Sequence, residues 1–264
     1  VRYYATASGP RVREAMRTGL LGQIATPGSG HRVLPGVDWC ADNAAFTGGY
    51  PGDEKYLAWL SARAAHAPRC AFATAPDVVG DAAATLARSL PMLDRIRAAG
   101  YPVALVAQDG LEHLTVPWHS FDVLFIGGGT AWKLGPAAAD LAAQARAHGR
   151  RVHCGRVNSL RRLRYAASIG CDSVDGTFLA YGPDRNLPVL LRWLSAIHTQ
   201  SPAEPAAGAR PRPRHPSPIG LPPLAVTAGQ DDHASDPTAP IHPTSPRSSL
   251  PRNPFVVTSG DPTP

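Results

Sequence analysis

The chain has 264 residues, 44% of them hydrophobic and 17% charged, with 25 glycines, 28 prolines and four cysteines. That is enough apolar content for one sizeable core, and it excludes a transmembrane helix, because no run approaches the ~20 apolar residues a span needs. The formal charge of +6 favours a polyanionic partner, although an arginine-biased genome accounts for the same surplus equally well.

Eight short β-rich runs are predicted, at Tyr3–Ala7, Gln23–Thr26, Val37–Cys40, Cys70–Thr74, Val103–Ala107, Val123–Ile126, Val152–Cys154 and Ser173–Phe178. Helical patterns fall between several of them. Residues Ala82–Ala99 repeat Leu86, Leu90, Leu93 and Ile96 at helical spacing, behind Asp81 as N-cap. Pro136–His148 opens on a proline suited to a first turn. Ser159–Ile169 follows Asn158 as expected N-cap, and Leu187–Ile197 follows Asn186, with Pro188 in its first turn. Alternating strands and helices imply a parallel sheet. Eight strands in about 200 residues fit an α/β fold of the compact (β/α)8 TIM-like barrel type. An open doubly wound sheet is the rival, but Ser8-Gly9-Pro10 is not the glycine fingerprint a dinucleotide site needs. Residues 1–200 are therefore expected to form the barrel domain. Sixteen of the 28 prolines lie in 201–264, which reads as a Pro-rich disordered tail. The tail's five arginines balance five acids, so the positive surplus belongs to residues 1–200.

In a barrel, chemistry sits at the C-terminal ends of the strands. Asp42 and Asn43 follow the third run, Asp77 the fourth, Gln108 the fifth, Gly127-Gly128-Gly129 the sixth, Arg156 the seventh, and Asp172 and Asp175 flank the start of the eighth. Singly, an acid at such a junction is most often a helix cap, and a glycine turn is most often only a tight loop. Together they would place two or more carboxylates, an amide and bare backbone at one mouth. Two carboxylates across a small pocket can perform nucleophilic and acid–base work at a glycosidic carbon.

The ordered set resembles the tRNA-guanine transglycosylase superfamily, and in particular its DNA-acting DpdA-type (deoxypurine in DNA) branch, associated with phages and DNA-modification islands. Gly170-Cys171-Asp172-Ser173-Val174-Asp175 is similar to the family's G-x-D-x-x-D segment, Ala107-Gln108-Asp109-Gly110 to its Gln-Gly turn, and Ile126-Gly127-Gly128-Gly129 to its Gly-Gly loop. The resemblance runs from about residue 70 to 195. It implies Asp175 as nucleophile, Asp77 as the second essential aspartate, and Gln108, Gly127 and Gly128 as base-binding residues. Asp42 and Asn43 are placed in the base pocket without a transferred role. Arg156, Arg161, Arg162 and Arg164 are candidate phosphate contacts, a solvated helix face being the plain alternative for the last three.

The implied reaction replaces guanine in DNA by a 7-deazaguanine, preQ0-type base through a covalent aspartyl-sugar intermediate. DNA is favoured over tRNA as partner, because the zinc-binding cysteine motif and the arginine-rich tRNA grip that follow the family's nucleophile are missing after Asp175. No zinc or other cofactor is therefore expected. Partner proteins of a modification system are compatible with this reading. With no apolar leader at Val1-Arg2-Tyr3-Tyr4 and no C-x-x-C pair, a cytoplasmic protein with reduced thiols is expected, without a membrane partner. Two alternatives stay open: a lyase or hydrolase acting on a small phosphorylated substrate, and a non-catalytic nucleic-acid-binding relative.

Overall fold

The computed structural model describes residues Val1–Thr199; the expected tail over 201–264 lies outside the described residues. Eight parallel strands close into one barrel in sequential order. They are β1 (Arg2–Ala5), β2 (Gly22–Ala25), β3 (Trp39–Ala41), β4 (Cys70–Thr74), β5 (Val103–Ala107), β6 (Val123–Ile126), β7 (Arg151–Cys154) and β8 (Ser173–Asp175). Closure is made by β1 on β8, with Tyr4 opposite Asp175. The helices are α1 (Pro10–Arg17), α2 (Asp53–Ser61), α3 (Ala82–Ala98), α4 (Thr130–Lys133), α5 (Pro136–Ala147), α6 (Leu160–Ser168) and α7 (Pro183–His198). The fold is the expected (β/α)8 barrel, with two connections that lack an α-helix. Between β2 and β3 the chain is held by the buried Gln23, whose amide donates to Arg32 O and accepts from Leu34 N–H, both at 2.9 Å. Between β5 and β6 there is one 3-10 turn at Leu111–His113. Among the described residues, no helix is long and apolar enough to cross a membrane.

The two-residue period of a strand divides the apolar residues into two cores. Outward-facing Tyr3, Trp39, Leu105, Leu124, Val152 and Val174 pack against the helices with Met16, Leu60, Leu93, Ile96 and Leu190. Inward-facing Tyr4, Cys40, Phe72, Ala104, Val106 and Phe125 form a smaller cluster inside the barrel. Phe72 meets Tyr4 and Phe125 edge-on, with ring centroids 6.4 and 6.1 Å apart. This aromatic plug closes the middle of the barrel and leaves the strands' C-terminal ends open.

Local details differ from expectation where side chains found other partners. Asp81 does cap α3, accepting from Ala84 N–H at 2.9 Å. The N-cap of α6 is Ser159, not Asn158. Asn158 Oδ1 instead accepts from Thr177 and Phe178 N–H, tying the β7 loop to the β8 loop. The last helix begins four residues earlier than expected, with Pro183 rather than Pro188 in its first turn. The eighth strand stops at Asp175 because Gly176 turns the chain into a space where a Cβ would meet Tyr3 Oη, Asn158 Oδ1 and, at 2.7 Å, Val157 O.

Candidate functional site

A cavity of about 240 Å³ opens at the C-terminal ends of the strands. It brings together Asp42 and Asn43 after β3, Asp77 after β4 and Gln108 after β5. Gly127 and Gly128 after β6, Arg156 after β7 and Asp175 at the end of β8 complete that set. Its walls are apolar, with Ile24, Val106 and Phe125 below and Phe46 at the rim. Phe46 is 57% exposed. Of the four arginines singled out, Arg156 alone lines the cavity. Arg161 and Arg164 are exposed on α6, while Arg162 is half-buried and donates to Arg156 O at 3.2 Å. Arg161, Arg162 and Arg164 thus share one short helix beside the mouth but do not reach into it.

The three carboxylates have different surroundings. Asp175 Oδ2 lies 2.9 Å from His153 Nε2, and its Oδ1 accepts the Arg156 N–H at 3.1 Å. Arg156 delivers that N–H from a left-handed backbone, φ 60°, which is uncommon for a residue with a side chain. Asp77 is clamped by two amides: Asn43 Nδ2 donates to Oδ1 at 3.0 Å and Gln108 Nε2 to Oδ2 at 2.6 Å. Burial raises the Asp77 pKa, against the lowering effect of those two donors. Asp42 accepts the Ala44 N–H through Oδ1 at 2.7 Å, and among the described residues no donor reaches its Oδ2. Burial first, and the charge of Asp175 second, push the Asp42 pKa up to about 7. Such a carboxyl is an acid and a base in comparable amounts near neutrality.

The polar residues expected to read a base are largely committed to the protein itself. Gln108 Oε1 accepts from Gly80 N–H at 3.0 Å and Gly128 N–H at 3.1 Å. One of its amide protons goes to Asp77, which leaves one. Asn43 donates to Ala75 O and Asp77 and accepts from Ala45 N–H. Both amides therefore hold Asp77 in place, and Gln108 also holds the glycine loop. That loop has no free amide: Gly127 N–H goes to Ala107 O, Gly128 N–H to Gln108, and Gly129 N–H to Asp109 Oδ2 at 2.6 Å. The Arg156 guanidinium caps it, donating to the carbonyls of Gly127 and Gly128 and lying 4.2 Å over the Phe46 ring.

Two residues were not singled out in the sequence. His153 is wholly buried on the inward face of β7, directly behind Asp175. Its signal was the alternation with Val152 and Cys154, which face outward. Lys133 is buried on α4 and donates to Gly155 O at 2.7 Å; burial pushes its pKa down to about 8. Asp172, at the start of β8, does not line the cavity; its Oδ2 accepts the Val152 N–H at 2.7 Å and ties β8 to β7. Among the described residues, no group of three or more His, Cys, Asp or Glu side chains is placed to hold a metal ion.

No protein-family model and no curated protein matches the chain. Solved structures do. A protein described as a glycerophosphoryl diester phosphodiesterase from Agrobacterium tumefaciens is 16% identical over 62% of this chain and 59% of that one, with a TM-score of 0.42. The chain therefore spans under two-thirds of that protein's length. Phosphoribosyl anthranilate isomerase from Thermus thermophilus is 15% identical over 75% of this chain and 100% of that one, with a TM-score of 0.46. Deoxyribose phosphate aldolase from Aeropyrum pernix is 15% identical over 68% and 85%, with a TM-score of 0.43. The likeness is one of fold.

Proposed function

We propose that the chain is a glycosyl-transfer enzyme acting on a purine nucleotide of DNA, as the resemblance to DpdA-type transglycosylases implies. One observation carries this reading. Asp42, Asp77 and Asp175 converge on one apolar-walled cavity in which, among the described residues' bonds, Asp42 alone of the three keeps an unbonded carboxylate oxygen. An acceptor-rich slot between apolar walls suits a flat heterocycle that carries several N–H donors, as guanine does. Its volume is below the ~300–1,000 Å³ of pockets for drug-sized ligands, so it suits one base and its sugar. A nucleotide in a duplex reaches such a slot by leaving the stack, at a cost of a few kcal/mol.

In this mechanism Asp175 attacks C1′ as its bond to the purine nitrogen breaks. The bonding pair goes to the base, and protonated Asp42 supplies the proton that lets guanine leave neutral. The sugar is then held as an ester of Asp175. A 7-deazapurine takes guanine's place, its ring nitrogen attacks C1′, the ester bond returns its electrons to Asp175, and Asp42 recovers the proton. Asp77, locked by Asn43 and Gln108, presents fixed acceptors to the base edge.

The second reading is hydrolase or lyase chemistry on a small phosphorylated substrate, in keeping with the names of two of the compared barrels, the phosphodiesterase and the aldolase. Against it stands the Gly127–Gly129 loop, whose three amides are already used, one of them by the carboxylate of Asp109. A phosphate there would meet a negative charge instead of free N–H donors. The deciding experiment incubates the protein with a labelled 7-deazaguanine and either DNA or tRNA, for wild type and Asp175→Ala. Label entering DNA with wild type only is the expected result. Incorporation that survives Asp175→Ala refutes the nucleophile, label in tRNA alone refutes the DNA assignment, and turnover of a sugar phosphate without base exchange favours the second reading.

A further inference from the structure

Behind Asp175 the centre of the barrel holds two polar side chains, His153 and Ser173, that the proposed reaction does not use. His153 projects inward from β7 and is wholly shielded from solvent. Its ring is packed among Phe72, Phe125 and Tyr4, with centroids 4.8, 4.6 and 6.1 Å away. Both ring nitrogens are engaged. Nε2 lies 2.9 Å from Asp175 Oδ2, and Nδ1 lies 2.8 Å from Ser173 Oγ. A carboxylate only accepts, so the proton of this contact sits on Nε2. A serine hydroxyl can donate or accept. Ser173 therefore satisfies Nδ1 whether or not it carries a proton, and Nε2–H points at Asp175 in either state.

The aromatic surround has a second effect. It packs the imidazole between three aromatic rings, and it lowers the local dielectric in which the bond to Asp175 acts. On the opposite oxygen the Arg156 N–H completes the grip. A carboxylate held at both oxygens, by a side chain of β7 and by a backbone N–H of the loop that follows it, cannot rotate about its χ2 axis. Its remaining lone pairs then address the cavity in one orientation, which is what attack on a single carbon requires.

We propose that His153, backed by Ser173, is the positioning residue that aims Asp175 into the cavity from inside the barrel. This rests on Asp175 being the nucleophile. The test measures base exchange for His153→Leu, His153→Gln and Ser173→Ala, together with the 15N and 1H signals of the His153 ring. His153→Leu is expected to lower kcat by about 10- to 100-fold while KM for the incoming base stays within about twofold, as for a group that acts only at the reacting atoms. The amide of His153→Gln can reach the same oxygen and is expected to recover at least fivefold over His153→Leu. Ser173→Ala is expected to lower kcat by a few-fold. Full activity in His153→Leu, or no recovery in His153→Gln, overturns the proposal. The ring signals settle the matter separately where His153→Leu does not fold or wild type shows no exchange. A downfield Nε2–H resonance that shifts in Asp175→Ala supports the positioning role, and one that does not respond to Asp175→Ala overturns it. Wild type without exchange but with that response refutes the proposed reaction and leaves the contact standing.

Discussion

Replacing Asp42 by asparagine should stabilise the protein above neutral pH and lower its activity at every pH. The folded state raises the Asp42 pKa from 3.8 to about 7, chiefly by burial. Between those two values the unfolded chain has released the proton and the folded chain keeps it. Stability from this group is therefore complete below about pH 4 and is lost as pH rises through about 7. Each pKa unit is worth about 1.4 kcal/mol, which sets a ceiling of ~4 kcal/mol for the full shift; Asp42 is only partly shielded from solvent, and screening brings the expected loss to about 2 kcal/mol. Urea titrations of wild type and Asp42→Asn at pH 4, 5.5, 7 and 8 would show the variant gaining on wild type across this range and levelling off beyond pH 7. A stability difference that stays flat between pH 4 and 8, or that shrinks as pH rises, refutes the burial argument. Base exchange that persists in Asp42→Asn with an unchanged pH profile refutes its role as acid and base.

Gln108→Leu strips donors and acceptors from three places at once: Asp77 Oδ2, Gly80 N–H and Gly128 N–H. Gly80 is exposed and can turn to water, so at about 1–3 kcal/mol for each of the two buried groups left unsatisfied a loss of about 2–6 kcal/mol is expected in denaturant titration, with a raised KM for the base because Asp77 and the glycine loop both lose their anchor. Leu93→Ala removes a side chain that is 1% exposed in the outer core, far from the cavity. It should cost about 2–5 kcal/mol of stability and leave kcat and KM unchanged below the unfolding transition.

How far the sequence revealed this molecule depended on how local each signal was. The runs Val103–Ala107 and Val123–Ile126 are wholly buried, short and apolar, and they are strands as expected. Three helices went unrecognised, α1, α2 and the four-residue α4, the first two for opposite reasons. In α1 only Val12, Ala15 and Met16 are buried among charged neighbours. In α2 the Asp53-Glu54 first turn and the buried Tyr56 and Leu60, four apart, did carry a readable pattern. Asn158 looked like a cap because caps are the commonest use of that residue there, but the competing amides of Thr177 and Phe178 come from 19 and 20 residues away. The site was legible as an ordered set of polar strand ends. Its internal wiring was not, because the bonds of Asp77 to Asn43 and Gln108 span 34 and 31 residues and exist only once the barrel closes. His153 escaped notice for a related reason: a lone histidine in a strand is more often a satisfied core residue, and only β8 beside it gives it a partner.

The alternation of each strand between an inner and an outer face also separates two burdens that evolution usually finds entangled. The large apolar cluster lies between strands and helices, while the residues that shape the cavity stand on the inside of the same strands. A substitution at Ile24, Val106 or Phe125 alters the shape offered to a ligand without touching Leu93, Ile96 or Leu190. New ligand preferences can thus be sampled at the inner positions while the reserve of stability that tolerates them is kept, one residue over, on the other side of the sheet.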